Sequence, residues 1–346
     1  MKNNLYKAVV ILLFILLLGM AGGSFAFGEV SFSSSAQSAV VMERSSHRIL
    51  YGKNCDAHLP MASTTKIVTA LTVINNSDLN DVVEIPQSAC GIEGSSIYLR
   101  AGEHLTVREL LYGLMLRSGN DAAIALALHT AGSVEAFAEM MNETSVALGC
   151  SDSNFVNPHG LHDDRHYTSA RDLAVITCAA LENSDFAEIV STKTARISNE
   201  GYEYDRVLIN KNKLLSAYSF ADGVKTGYTR KAGRCFVGSA TKNGMQVVVV
   251  VLNCGPMFEE TASMLDAAFE EYRLENIVPQ NKVCGMFDAG GKLCYYICSD
   301  GFTYPVKEDE EISVELIADS QSGSIEVFVN GASVFTRSLH EKYIMN

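Results

Sequence analysis

Residues 63–74 read Ser-Thr-Thr-Lys-Ile-Val-Thr-Ala-Leu-Thr-Val-Ile. Ile67, Leu71 and Ile74 recur at helical spacing, which predicts a helix over Ser63 to Ile74 with one apolar face. On that helix Ser63 and Lys66 are three apart, so an amine reaches a hydroxyl within one turn. Working outward, alternation and β-branched residues at Ser38 to Glu43 and Arg48 to Gly52 predict a hairpin turning at Arg44 to His47. Helical periodicity then dominates, at Val107 to Met115, Asp121 to His129, Ser133 to Leu148 and Ala170 to Leu181. Strands are expected at Tyr202 to Asn210, near Asp222 to Gly227, and at Cys235 to Thr241 and Met245 to Leu252 around an Asn243-Gly244 turn. A helix from Phe258 to Tyr272 follows. Strands at both sequence ends with helices between predict an α/β domain whose sheet joins the two ends.

From about Asn281 the texture changes. Gly290-Gly291, Asp300-Gly301 and Asn330-Gly331 separate short runs such as Ser324 to Val329 and Ala332 to Leu339, the pattern of a small all-β domain. At the other end, Met1 to Phe27 has a basic start (Lys2, Lys7), an apolar run from Ala8 to Met20 and a Ser24-Phe25-Ala26 cleavage pattern. This predicts an export signal with the mature chain starting near Phe27, the alternative being an uncleaved N-terminus that holds the protein at the membrane. The apolar run is short of the roughly 20 residues that span a bilayer.

The 346 residues carry a formal charge of −13 and are 47% apolar, enough for packed cores and too apolar for disorder. Residues 1–28 hold two lysines and no acid, so the rest balances 25 basic against 40 acidic residues, or −15. Such a surface repels phosphate backbones and excludes a nucleic-acid partner. Nine cysteines contain no CxxC pair, and most read as small buried hydrophobes. Cys294 and Cys298, in one strand, stand too far apart to bridge. His159, His162 and His166 with Asp163 and Asp164 form a dense set of potential zinc ligands, but Pro158 and Gly160 argue for a structural loop instead. Arg234 and Asp172 read as structural charges.

Three short motifs stand in order: Ser63-Thr64-Thr65-Lys66, Ser118-Gly119-Asn120 and Lys225-Thr226-Gly227. A serine hydroxyl is inert until a base takes its proton, and Lys66 serves only if burial and a second cation such as Lys225 lower its pKa. Alone the first motif carries little; the ordered triple is far more specific. Matching stretches extend through Pro60 to Lys66, Gly94-Ser95-Ser96, Leu110 to Leu114, Ser118 to Ala123, Asn157 to Leu161, Ala170 to Ala174 and Gly223 to Thr229. On these residues the chain resembles the serine D-alanyl-D-alanine carboxypeptidases, the low-molecular-weight penicillin-binding proteins, over about residues 37 to 275.

The resemblance implies an α/β (α+β) serine β-lactamase/transpeptidase-like domain with an antiparallel sheet and a helical cluster, over residues 28–278, then a small all-β domain over 281–346. It implies that Ser63 attacks the carbonyl between two D-alanines with Lys66 as base, that Ser118 relays a proton to the leaving amine, and that Asn120 holds substrate and Lys66. Lys225 and Thr226 would bind the terminal carboxylate, Gly227 completing their motif, and the N–H groups of Ser63 and Tyr228 would form the oxyanion hole. No metal or other cofactor is implied. The partners implied are the peptidoglycan stem peptide and β-lactam antibiotics as covalent inhibitors; the partner of the β domain is unknown. One departure stands out: many members place an arginine after the strand that follows the Lys-Thr-Gly strand, and none occurs here from Cys235 to Tyr272. The alternatives are a serine β-lactamase, for which Thr144 to Leu181 lacks a water-activating glutamate, and a catalytically silent wall-binding protein, which would need no nucleophile beside a base.

Overall fold

The structure is a computed structural model that describes residues 32–288, 293–318, 323–339 and 342–344; the export signal lies outside the described residues. Two compact units divide at Glu270/Glu271. In the first, β1 (Ser38–Glu43) and β2 (Ile49–Lys53) form the opening hairpin, and a 3₁₀ turn at Ala62–Thr65 leads into α1 (Lys66–Asn76). The short strands β3 (Val82–Glu84) and β4 (His104–Thr106) precede α2 (Val107–Leu116), α3 (Asn120–Ala131), α4 (Val134–Ala147), α5 (Ala170–Glu182) and α6 (Ser184–Ser191). Then come β5 (Thr194–Ile197), β6 (Arg206–Ile209), a single helical turn α7 (Leu214–Ala217), β7 (Ala221–Thr229), β8 (Gly233–Lys242), β9 (Met245–Leu252) and α8 (Met257–Glu271).

The main sheet has the order β2-β1-β9-β8-β7, antiparallel throughout, so the first and last strands of the unit meet at its centre. Val247 to Leu252 is a continuous apolar run because β9 is buried on both faces. Val248 and Val250 join the helical core on one side. On the other side, next to β9 on β8, Phe236 packs edge-on against Phe258 of α8. Helix starts follow side-chain chemistry: Thr106 and Glu109 make a capping box on α2, and Ser133, Ser169 and Asn183 cap α4, α5 and α6. α3 is apolar on all sides and sits at the centre of the cluster, which places its first residue, Asn120, deep in the fold.

Two expectations differ from what is seen. The strand expected at Tyr202 to Asn210 is only Arg206–Ile209, paired with an unread strand at Thr194–Ile197, because Glu200 to Asp205 form the exposed connection between them. Ser63 lies in the 3₁₀ turn ahead of α1 rather than on the α-helix itself.

From Arg273 onward the described residues of the second unit form only strands and their connections. β10 (Arg273–Val278) pairs with β13 (Phe302–Val306), which takes it into this unit, ahead of the change in texture at Asn281. β11 (Lys282–Asp288), β12 (Leu293–Cys298) and β17 (Lys342–Ile344) form a second sheet, and β14 (Ile312–Ala318), β15 (Gly323–Val329) and β16 (Ala332–Leu339) a third. Cys294, Tyr296, Cys298, Ile325 and Val327 alternate inward to make its core.

Candidate active site

The 3₁₀ turn brings Ser63 and Lys66 together because residues three apart eclipse in that geometry. Lys66 Nζ lies 3.2 Å from Ser63 Oγ, 2.8 Å from Asn120 Oδ1 and 2.6 Å from the His159 carbonyl oxygen. The side chain is 0% exposed. Burial, then the charges of Lys225 and Lys211, push its pKa well below the ordinary lysine range. Asn120 and His159 offer acceptors for two N–H groups, which leaves the third position of the amine directed at the Ser63 hydroxyl.

Each partner is itself held. Asn120 opens α3, its backbone N–H donating to the Ser95 carbonyl at 2.7 Å and its Nδ2 to the Glu93 carbonyl at 2.5 Å. Asp121 beside it is buried and accepts from Ser96 Oγ at 2.6 Å and from the N–H groups of Ile97 and Leu99, which fastens the loop bearing Ser95 to α3. The loop with His159 packs against the turn bearing Ser63 at Gly160, whose φ is +86°; a Cβ there would stand 1.9 Å from the Ala62 carbonyl oxygen. Only glycine satisfies both demands. Beneath, the Val156 N–H donates to His166 Nδ1 at 3.1 Å, so the ring proton sits on Nε2, which donates to Thr65 Oγ1 at 2.8 Å. Thr65 Oγ1 donates in turn to the Ala62 carbonyl at 2.8 Å.

Ser118 is buried with φ at 63°, and its hydroxyl has no hydrogen-bond partner among the described residues. Ala62, just before Ser63, has φ at 51°. Two non-glycine residues in the left-handed region at this cluster are the kind of backbone strain that functional sites store.

β7 closes the site. A Cβ on Gly227 would meet Ser63 N and the Met61 carbonyl oxygen at 3.0 Å, so the missing side chain lets the strand pass directly against the turn bearing Ser63. Lys225, 1% exposed, donates to the Thr226 carbonyl at 3.0 Å, and burial followed by Lys211 lowers its pKa to about 7. Thr226 and Tyr228 face the opening, Tyr228 being 66% exposed. A cavity of about 550 Å³ is bordered by Ser63, Ser95, Ser118, Thr226, Tyr228 and Arg234.

All eight residues singled out in the sequence therefore converge here. Sequence reasoning missed the carbonyls of His159 and Glu93, which leave no side-chain signature, and placed Arg234 among structural charges although it borders the cavity. The histidine cluster does not converge. His159 Nδ1 accepts from the Leu161 N–H, His162 pairs with Asp164 at 3.2 Å and His166 is used by Val156 and Thr65. Among the described residues no three His, Cys, Asp or Glu side chains could hold a metal ion.

Comparison with known proteins points the same way. The D-alanyl-D-alanine carboxypeptidase family profile matches residues 27–255. The chain is 35% identical over 284 residues to the D-alanyl-D-alanine carboxypeptidase DacF of Bacillus subtilis, across 79% of this chain and 73% of that one. The crystal structure of the D-alanyl-D-alanine carboxypeptidase from Mycobacterium tuberculosis matches with a TM-score of 0.66 at 30% identity, covering 70% of this chain and 94% of that one. Penicillin binding protein 5 from Haemophilus influenzae matches at 0.78 and 25% identity, covering 91% and 97%, so that likeness reaches into the second unit.

Proposed function

This chain belongs to the D-alanyl-D-alanine carboxypeptidase family, and from that premise we propose that it removes the terminal D-alanine from peptidoglycan pentapeptides through an acyl-enzyme on Ser63. The observation that carries the proposal is the buried amine of Lys66, depressed in pKa, 3.2 Å from Ser63 Oγ with its other donors already used. Lys66 takes the hydroxyl proton as Ser63 Oγ attacks the carbonyl between the two D-alanines. The N–H groups of Ser63 and Tyr228, brought together by Gly227, stabilise the oxyanion. Ser118, its hydroxyl otherwise unengaged, passes a proton to the departing D-alanine amine. Water then releases the shortened peptide. No step calls for a metal ion.

A lactamase is less well supported. Next to Lys66 the 157–161 loop offers the His159 carbonyl and no carboxylate, so nothing there activates water for fast release of a penicilloyl group. A silent binding protein is disfavoured because burying Lys66 costs free energy that recognition alone would not require. The proposed place of action is outside the cytoplasmic membrane, as the N-terminal sequence and cell-wall relatives suggest; among the described residues no helix is long and apolar enough to cross a membrane.

The test is benzylpenicillin followed by intact-mass spectrometry, alongside release of free D-alanine from a pentapeptide ending in D-Ala-D-Ala. A one-to-one adduct lasting minutes is expected on the wild type and none on Ser63→Ala. Lys66→Ala should slow its formation by about 10²- to 10⁴-fold. Rapid penicillin turnover without a trapped adduct would favour the lactamase.

A further inference from the structure

The substrate proposed above ends in a carboxylate, and the cavity is bordered by three cations, Lys211, Lys213 and Arg234, and one carboxylate, Glu259. Lys225 is buried and donates to the Thr226 carbonyl, and burial lowers its pKa to about 7. Lys211 donates to Ser95 Oγ at 2.9 Å and borders the same cavity. Arg234 differs from both. It opens β8 directly across from Tyr228 in the antiparallel register, so it shares that wall with Tyr228 and, two residues earlier on β7, Thr226. Its side chain is exposed, and Nη1 donates to the Gly255 carbonyl at 3.0 Å, which aims the guanidinium while leaving its other N–H groups without a partner among the described residues. A guanidinium stays charged at any working pH and presents a planar fork that matches a carboxylate.

We infer that Arg234, steered by the Gly255 carbonyl, is the cation that recognises the terminal carboxylate of the substrate, together with the Thr226 hydroxyl. The inference rests on the carboxypeptidase reading and deepens it. It also accounts for the absence of arginine from Cys235 to Tyr272: the charge comes from the start of β8 instead.

Two pentapeptides differing only at the C-terminus, one a free carboxylate and one a carboxamide, separate the roles. Wild type should strongly prefer the carboxylate. Arg234→Gln should lower kcat/KM for the carboxylate peptide by about 10- to 100-fold, the range for losing a charge-assisted hydrogen bond, and leave the carboxamide peptide nearly unchanged. Arg234→Lys keeps the charge and should retain part of the preference, with an unchanged melting temperature. If Arg234→Gln slowed both peptides equally, or left the preference intact, the inference would be overturned, and Arg234 would be a brace for Gly255 or a bystander. If the Gln variant did not fold, full preference in Arg234→Lys would overturn it equally, because a point charge cannot reproduce the fork. Failure of wild type to release D-alanine from either peptide would instead sink the carboxypeptidase reading itself.

Discussion

At the scale of single residues the central question is which proton Lys66 carries. Its neutral form is favoured by burial and by Lys225, so removing that neighbouring charge stabilises the ammonium and raises the pKa. Acylation needs the amine neutral and falls as pH drops through that pKa. In Lys225→Gln the acid limb of the penicillin acylation rate should therefore move to higher pH, apart from any overall loss of rate through weaker binding. A pH profile from stopped-flow acylation checks this; a limb that stays in place would mean that Lys66 does not feel Lys225. Ser63, Lys66, Ser118, Asn120 and Lys225, on which the proposed chemistry rests, were legible in sequence because that chemistry would demand their side chains at fixed spacing. The His159 and Glu93 carbonyls were not, since every residue has one and only the fold aims it.

Among the elements, the turn bearing Ser63 is supported from below by the loop that carries His166, and this support depends on a neutral imidazole. Burial lowers the His166 pKa to about 4, with nearby Lys66 adding to the effect and Asp163 opposing it. An unfolded chain binds the proton near pH 6.5, the folded one only near 4. Stability attributable to the neutral ring is thus intact above 6.5, declines as pH falls and levels off below about 4, a loss that approaches about 3 kcal/mol. Protonation would also place a second donor at Nδ1 against the Val156 N–H. Chemical denaturation of wild type and His166→Gln from pH 7 to 4 should show a shallower decline in the variant, whatever its stability at pH 7. Equal slopes would assign the acid sensitivity elsewhere, His159, lowered to about 3, being the next group to examine. Elements with strong periodicity, such as α1, α2 and α5, were read within a few residues. Thr194–Ile197 and Ser184–Ser191 were missed because elements this short carry too few turns or alternations to stand out.

For the whole molecule, every residue of the candidate site lies in the Val30–Glu270 unit, which has its own core and its own five-stranded sheet. A chain ended after Tyr272, keeping α8 intact, should fold and be acylated by benzylpenicillin at close to the full-length rate. Intact-mass kinetics on the truncated and full-length proteins make the comparison. A truncated chain that is folded by circular dichroism yet acylates more than tenfold slower would show that the β unit shapes the site.

Sequence by itself determined the main strands and helices in their order, apart from short elements such as Thr194–Ile197 and Ser184–Ser191, the change of texture toward a β-rich C-terminal segment, and the three motifs on which the proposed chemistry rests. These follow from hydrophobic period, turn chemistry and reactive side chains, all local properties. Only the tertiary structure decided that β1 and β9 meet at the sheet centre, that Gly160 and Gly227 let two distant segments touch the turn bearing Ser63, and that Arg234 turns into the cavity. Those relations join residues far apart in the chain, and a long-range contact leaves no periodic trace in a single sequence.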